Sequence, residues 1–304
     1  MSSSPFKPTI STKVLDHLVY LTPPGTLQET CNEFREIGFH VLQGGTHADG
    51  LTANALIVLH DHVYLELINF TRPASDYEPG STPRLKRDSH PWSESFVKPG
   101  FIAFAFLGTG SLKPDETVSA IINQRAMGQG LSPLYTDEKL GGRTRMDGEI
   151  LKWLISYPKN GSFSDENNLL PFFCGDVTAR ALRVPVTPPS NTEHASGSSG
   201  IAFVRLLVDL KPDFQNLSTI SSKIDAVLGR KSVSASQTEL KWELETLNGT
   251  IQSYLIISLP QNDEEREHLK QNQNGIYEVG FRTKNGSGER SKRTTHGGKL
   301  SWTV

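Results

Sequence analysis

Two residues of this 304-residue chain, an imidazole and a carboxylate able to hold a metal or move a proton, stand out because both lie in strand-like sequence. His17 falls in VLDHLVYL and Glu66 in HVYLELINF. The alternating apolar residues and the Leu, Val and Tyr content make each stretch a strand. A helix and two further strands lie between them, so His17 is on a first strand and Glu66 on a fourth. Aimed into one curved sheet, an imidazole and a carboxylate form half of a metal site suited to Zn, Mn, Fe or Ni. Without a metal, the same pair can act as acid and base. His62, Tyr64 and Glu66 alternate along their strand and share a face. Tyr64 is either a packing aromatic or a donor or acid beside the pair. His62 is too remote to share a metal with Glu66, because four residues of strand span ~13 Å.

The elements that must position this pair repeat. In residues 14–70 a strand leads to the helix LQETCNEFREIG, with Thr26 and Glu29 as a capping box and Gly38 as its stop. FHVLQGG, ANALIVL and VYLELINF follow as strands. A second unit covers 100–176. FIAFAFLG is its first strand, Asp115 caps the helix ETVSAIINQRAMG, and LSPLY, RTRMD, ILKWLISYP and LLPFFCGD complete it. Residues 71–99, rich in Pro, Ser and charge, form a surface excursion. Residues 184–200 are a linker between a 14–183 domain and a third unit in 201–304. That unit runs from IAFVRLLVDL through a helix capped by Ser218 to a hairpin at Asn248-Gly249. YEVGFRT closes it, and KLSWTV adds a last strand after a basic, Gly/Ser-rich tail. The expected fold class is α+β, with repeated βαβββ modules forming curved, cup-like mixed sheets.

DHLVYL, GGTHADGLTANALIVL, YLELINF, GGRTRMDGEILKW and LPFF, in that order, make the chain similar to the glyoxalase-like branch of the vicinal oxygen chelate superfamily. The resemblance covers residues 14–180. It implies a paired βαβββ fold and an enzyme of lyase, isomerase or ring-opening type, acting on a small oxygenated metabolite, with a divalent metal as the possible cofactor. A metal-free binding protein of the same fold is the alternative, since fold alone does not fix chemistry. His17 and Glu66 match the two ligand positions of one module. The matching positions of the second unit fall near Ile102 or Ala103 and near Phe173 or Cys174, which offer no ligand. Aligning YLELINF with IYEVGFR places Glu278 opposite Glu66, and His194 precedes the third unit's first strand. Were units one and three to form the cup, His17, Glu66, His194 and Glu278 would resemble the glyoxalase I ligand sphere. His47, in a Gly-rich loop held near the cup mouth, is an acid/base candidate or a surface histidine. Asn54 could bind substrate or hold the loop. Arg143, after Gly141-Gly142, could anchor a carboxylate or phenolate, with Trp153 as its apolar counterpart.

Composition narrows the field. Net charge is −2, 36% of residues are hydrophobic and 21% charged, which suits packed cores and gives no nucleic-acid or membrane footprint. MSSSPFKPTI has no apolar h-region, and two distant cysteines make no disulfide framework, so a cytoplasmic setting is expected. There is no GxSxG, P-loop, CxxC or GxGxxG after a strand. An odd number of units leaves one unmatched, which a homodimer would pair.

Overall fold

In a computed structural model, the structure describes residues 10–93, 97–145, 147–159, 169–210, 217–249, 251–283 and 290–303. The first unit contains β1 (Leu15–Thr22), α1 (Leu27–Ile37), β2 (Leu42–Thr46), β3 (Thr52–Val58) and β4 (Tyr64–Phe70). Every residue of β1 and of β4 is buried, as expected of strands covered on both faces. Helix α1 buries Cys31 and Phe34 and ends at Gly38, whose φ of 103° is left-handed and open to glycine at little cost. Thr26 is at the N-cap but makes no capping bond to the helix; its hydroxyl donates to Pro23 O instead. A short α2 (Thr82–Asp88) interrupts the 71–99 excursion.

The second unit contains β5 (Gly100–Leu107), α3 (Val118–Gly128), β6 (Lys139–Thr144), β7 (Ile150–Ser156) and β8 (Phe172–Asp176), followed by the one-turn α4 (Arg180–Arg183). Thr117, not Asp115, caps α3, its hydroxyl accepting from Ala120 N. LSPLY is not a strand; Tyr135 makes only an isolated bridge to Pro158.

Strand pairing settles which units face each other. Units one and two form a single eight-stranded sheet in the order β2-β3-β4-β1-β5-β8-β7-β6, with β1 antiparallel to β5. Its two edges nearly meet. His47 bridges to Arg143, and Ala48 N donates to Gly142 O, bending the sheet almost into a barrel around a cup.

The remainder contains β9 (Ser198–Leu207), α5 (Leu217–Leu228), β10 (Ser234–Ala235), β11 (Glu239–Leu244), β12 (Ser253–Ser258), α6 (Asp263–Asn272), β13 (Gly275–Thr283), β14 (Arg290–Arg293) and β15 (Lys299–Thr303). They form a seven-stranded sheet, β10-β11-β12-β9-β13-β15-β14. Here β12 runs parallel to β9, as β4 does to β1, and β13 runs antiparallel to β9, as β5 does to β1. YEVGFRT therefore does not close the third unit but opens a fourth, abbreviated one. Glu278, on β13, is not the counterpart of Glu66.

One continuous apolar core joins the two sheets through their helices. Phe104 and Phe106 of the first sheet, Ile122 of α3, Ile224 of α5, and Val204 and Phe281 of the second sheet belong to it. The 184–200 segment is pinned along the first sheet: Ser196 N donates to Gly38 O, and the His194 ring contacts Val58 O. Among the described residues no helix is long and apolar enough to cross a membrane.

Candidate functional site

On the face opposite the shared core, the first sheet encloses a cavity of about 740 Å³. Its size lies in the range of small-molecule sites. His17, Tyr64 and Glu66 line it because β1 and β4 run parallel with His17 beside Tyr64 and Val19 beside Glu66. His17 Nε2 lies 3.7 Å from Glu66 Oε2, and His47 Nε2 lies 3.7 Å from Glu66 Oε1. The imidazole of His17 stacks on Tyr64 at a centroid distance of 4.6 Å and meets the edge of Phe172 at 5.2 Å.

Behind His17 stands a group not singled out in the sequence. The pairing of β1 with β5 shifts register between Leu15 and His17, so consecutive side chains come together where a regular strand would part them. Asp16 is fully buried, and its Oδ2 lies 2.7 Å from His17 Nδ1. Burial opposes its charge, but the guanidiniums of Arg183 and Arg180 outweigh that and hold the carboxyl well below the usual carboxylate range. An ionised Asp16 only accepts, so Nδ1 of a neutral His17 carries the proton and Nε2 presents a lone pair to the cup. Arg183 donates to Asp16, to Asp176 and, at 2.8 Å, to Tyr64 Oη. Burial raises the Tyr64 phenol well above its ordinary pKa, against the pull of Arg183. Its hydroxyl therefore stays protonated, accepts from Arg183 and has its own hydrogen left to donate.

Asn54 engages both ends of its amide. Nδ2 donates to Glu66 Oε1 at 2.6 Å, and Oδ1 accepts from Gly45 N at 3.1 Å. It orients the carboxylate and holds the Gly-rich loop. His47 Nδ1 lies 2.6 Å from Thr52 Oγ1, and burial lowers the ring's pKa although Glu66 pulls the other way. Trp153 pairs with Gly141 across β7 and β6. A Cβ on Gly141 would lie 2.5 Å from Trp153 Nε1, so the bare backbone makes room for the indole, not for a ligand. Arg143 is 6% exposed and lines the cup, and its Nη1 has no hydrogen-bond partner among the described residues. His90 and Trp92, beyond α2, also line the cavity, so this part of the excursion belongs to the site wall.

Two of the expected ligands are elsewhere. His194 Nδ1 accepts from His40 N and its Nε2 lies 3.0 Å from Val58 O. Burial pushes its pKa down to about 4. Glu278 lies 3.4 Å from Lys299 and 3.7 Å from Arg205 in the second sheet. The four-residue set does not converge, because units one and two make the cup and β13 belongs to the other sheet. On the second-unit wall, Ala105 pairs with both His17 and Phe172, placing Phe172 rather than Phe173 against the imidazole. A resident divalent ion does not fit these donors. The two imidazoles address different oxygens of Glu66, one oxygen is taken by Asn54, and the facing wall offers Phe172 and the cation of Arg143. Among the described residues no group of three or more His, Cys, Asp or Glu is arranged to hold a metal.

A sequence model of a glyoxalase-like domain matches residues 15–219. The chain belongs to that family. Its fold is that of the vicinal oxygen chelate superfamily, as the sequence motifs implied. No curated protein matches the chain. Among solved structures, a hypothetical protein from Staphylococcus aureus is similar over 95% of this glyoxalase-like chain and 98% of its own, at 14% identity and a TM-score of 0.64. A Mn(II)-bound glyoxalase from Novosphingobium aromaticivorans covers 96% of this chain and 81% of its own, at 10% identity and a TM-score of 0.45. Methylmalonyl-CoA epimerase from Mycobacterium tuberculosis covers 59% and 97%, at 13% identity and a TM-score of 0.32.

Proposed function

We propose that this glyoxalase-like protein is an enzyme of isomerase or lyase type that moves a proton on a small oxygenated metabolite, with His17 and Glu66 as its acid/base pair. The observation that carries this reading is the 3.7 Å gap between His17 Nε2 and Glu66 Oε2 in the cup. Both atoms belong to side chains that line the cup, and each side chain is held from behind, by Asp16 and by Asn54. Glu66 Oε2 takes a proton from a carbon beside a carbonyl. His17 Nε2 takes that proton from Glu66 and delivers it to the neighbouring substrate atom, Asp16 stabilising the imidazolium in between, so the product keeps the proton count of the substrate. Tyr64 donates its hydroxyl hydrogen to the developing enolate oxygen while Arg183 polarises it. Fixed donors in a site shielded from water are worth more than the same groups in solution.

Proton NMR in D2O tests this whatever the product. A panel of 2-oxo and 2-hydroxy acids and aldehydes is incubated with the protein, and loss of the signal from the carbon-bound hydrogen beside the carbonyl or hydroxyl is followed. The expected result is exchange with at least one compound, reduced at least ~100-fold by Glu66→Gln and by His17→Ala. Exchange that both variants leave intact would sink the proposal.

A second reading, a metal-free binding protein, draws on the apolar second-unit wall with Phe172 and Trp153. It predicts tight binding of a panel compound with no exchange.

A further inference from the structure

Arg143 is the feature that proton transfer leaves unexplained. Its side chain is buried, yet Nη1 has no hydrogen-bond partner among the described residues. The cup's other buried guanidinium, that of Arg183, is matched by Asp16 and Asp176. Arg143 has no such match: among the described residues no carboxylate lies within ion-pair distance of it, and Glu66 attracts it only from farther off, without offsetting the cost of burial. An unmatched cation held out of water is costly to keep. It is retained on a strand whose register fixes it, Arg143 pairing with Leu151 on one side and bridging His47 on the other. The wall beside it is aromatic. Trp153 meets His47 edge-on at 6.0 Å, and Tyr157 stacks on Phe172 at 5.6 Å.

We infer that Arg143 supplies the fixed positive charge of this cup and that the ligand is a planar, unsaturated or aromatic carboxylic acid. Its carboxylate lies on the guanidinium and its flat body against Trp153 and Phe172. A guanidinium offers a fork of donors that matches a carboxylate, which an apolar wall cannot do. Nη1 itself is packed against Gly45, so the ligand is met by the part of the guanidinium that lines the cup. This rests on the cup being the functional site of the proposed enzyme. It adds the substrate class to that reading.

Cinnamate and cinnamamide have the same shape and differ in charge, so they isolate the claim. Their affinities are measured by isothermal titration calorimetry on the full chain. Wild type should bind cinnamate about ten- to a hundredfold tighter than cinnamamide, the range that charge-assisted hydrogen bonds give. Arg143→Gln should bring the ratio to about one with cinnamamide binding unchanged, which also reports that the cup is intact. Arg143→Lys should keep part of the preference. Glu66→Gln should keep the preference and tighten cinnamate, because it removes the cup's carboxylate charge. A ratio of about one in wild type, a ratio that Arg143→Gln leaves unchanged, or no detectable binding of either compound would overturn the inference. The outcome is separable from proton transfer, since the ratio depends on Arg143 and the exchange on His17 and Glu66.

Discussion

Two arginines in one cup carry opposite expectations. Arg183 is bound by the buried carboxylate of Asp16, the partly buried one of Asp176 and Tyr64. Breaking a buried pair leaves charge uncompensated and costs about 3–5 kcal/mol, so Arg183→Met should lower the urea midpoint by that equivalent. Arg143 has no partner for Nη1 and only a longer-range attraction to Glu66, so Arg143→Met removes a desolvated charge without breaking an ion pair. It should raise the melting temperature by about 2–4 °C for each kcal/mol regained, while abolishing carboxylate binding. A lower melting temperature would mean that Arg143 is satisfied by the protein itself. His17, Tyr64 and Glu66 could be picked out from the sequence because strand alternation fixes which side chains share a face. Asp16 could not, because it reaches His17 only through a register shift, which residue patterns do not announce. Arg183 was hidden for another reason: its partners Asp16 and Tyr64 lie more than a hundred residues away along the chain.

At the scale of elements, strand pairing decides which residues belong to the site. The expectation of a cup from units one and three rested on the similarity of YLELINF to IYEVGFR. β13 instead takes the place of a first strand, paired antiparallel with β9. Local resemblance between two strands carries no information on their neighbours, which long-range pairing sets. The 71–99 excursion was equally opaque, since nothing in its Pro- and Ser-rich sequence tells that His90 and Trp92 line the cup. By contrast, the helices and most strands were readable, because their apolar periods are local. The β6–β7 hairpin offers a test of cup geometry. Gly141→Ala would place a methyl group 2.5 Å from Trp153 Nε1, and a side chain is the cheaper group to move. The indole, 8% exposed, should swing outward, with a red shift of tryptophan emission and weaker ligand binding. Unchanged emission would show that the hairpin backbone gives way instead.

For the whole molecule, the two sheets depend on a buried junction that responds to pH. Asp61, at the turn before β4, accepts from Val63 N at 3.1 Å and from Ile201 N of β9 at 2.7 Å, with Arg282 at 3.7 Å. Burial pushes its carboxyl up to about 6, against those hydrogen bonds and the arginine. The folded chain therefore holds this proton more tightly than the unfolded chain, where an aspartate titrates near ~3.9. Its stabilising contribution is complete below about pH 4 and is lost as pH rises through about 6, up to about 3 kcal/mol in all. His90, His194 and His268, each pushed down to about 4 by burial, act in the opposite sense over the same window. The difference in stability between wild type and Asp61→Asn isolates the one group. That difference should favour wild type most at pH 4 and shrink by pH 7. A constant difference would show that Asp61 is ionised throughout.

A cup that moves a proton with its own side chains works without an added ion. The direct test is the rate of carbon–hydrogen exchange in D2O after exhaustive chelation, measured with and without added Mn2+ or Zn2+. The predicted result is an unchanged rate, lost only in Glu66→Gln and His17→Ala. Exchange that disappears on chelation and returns with the metal would contradict it.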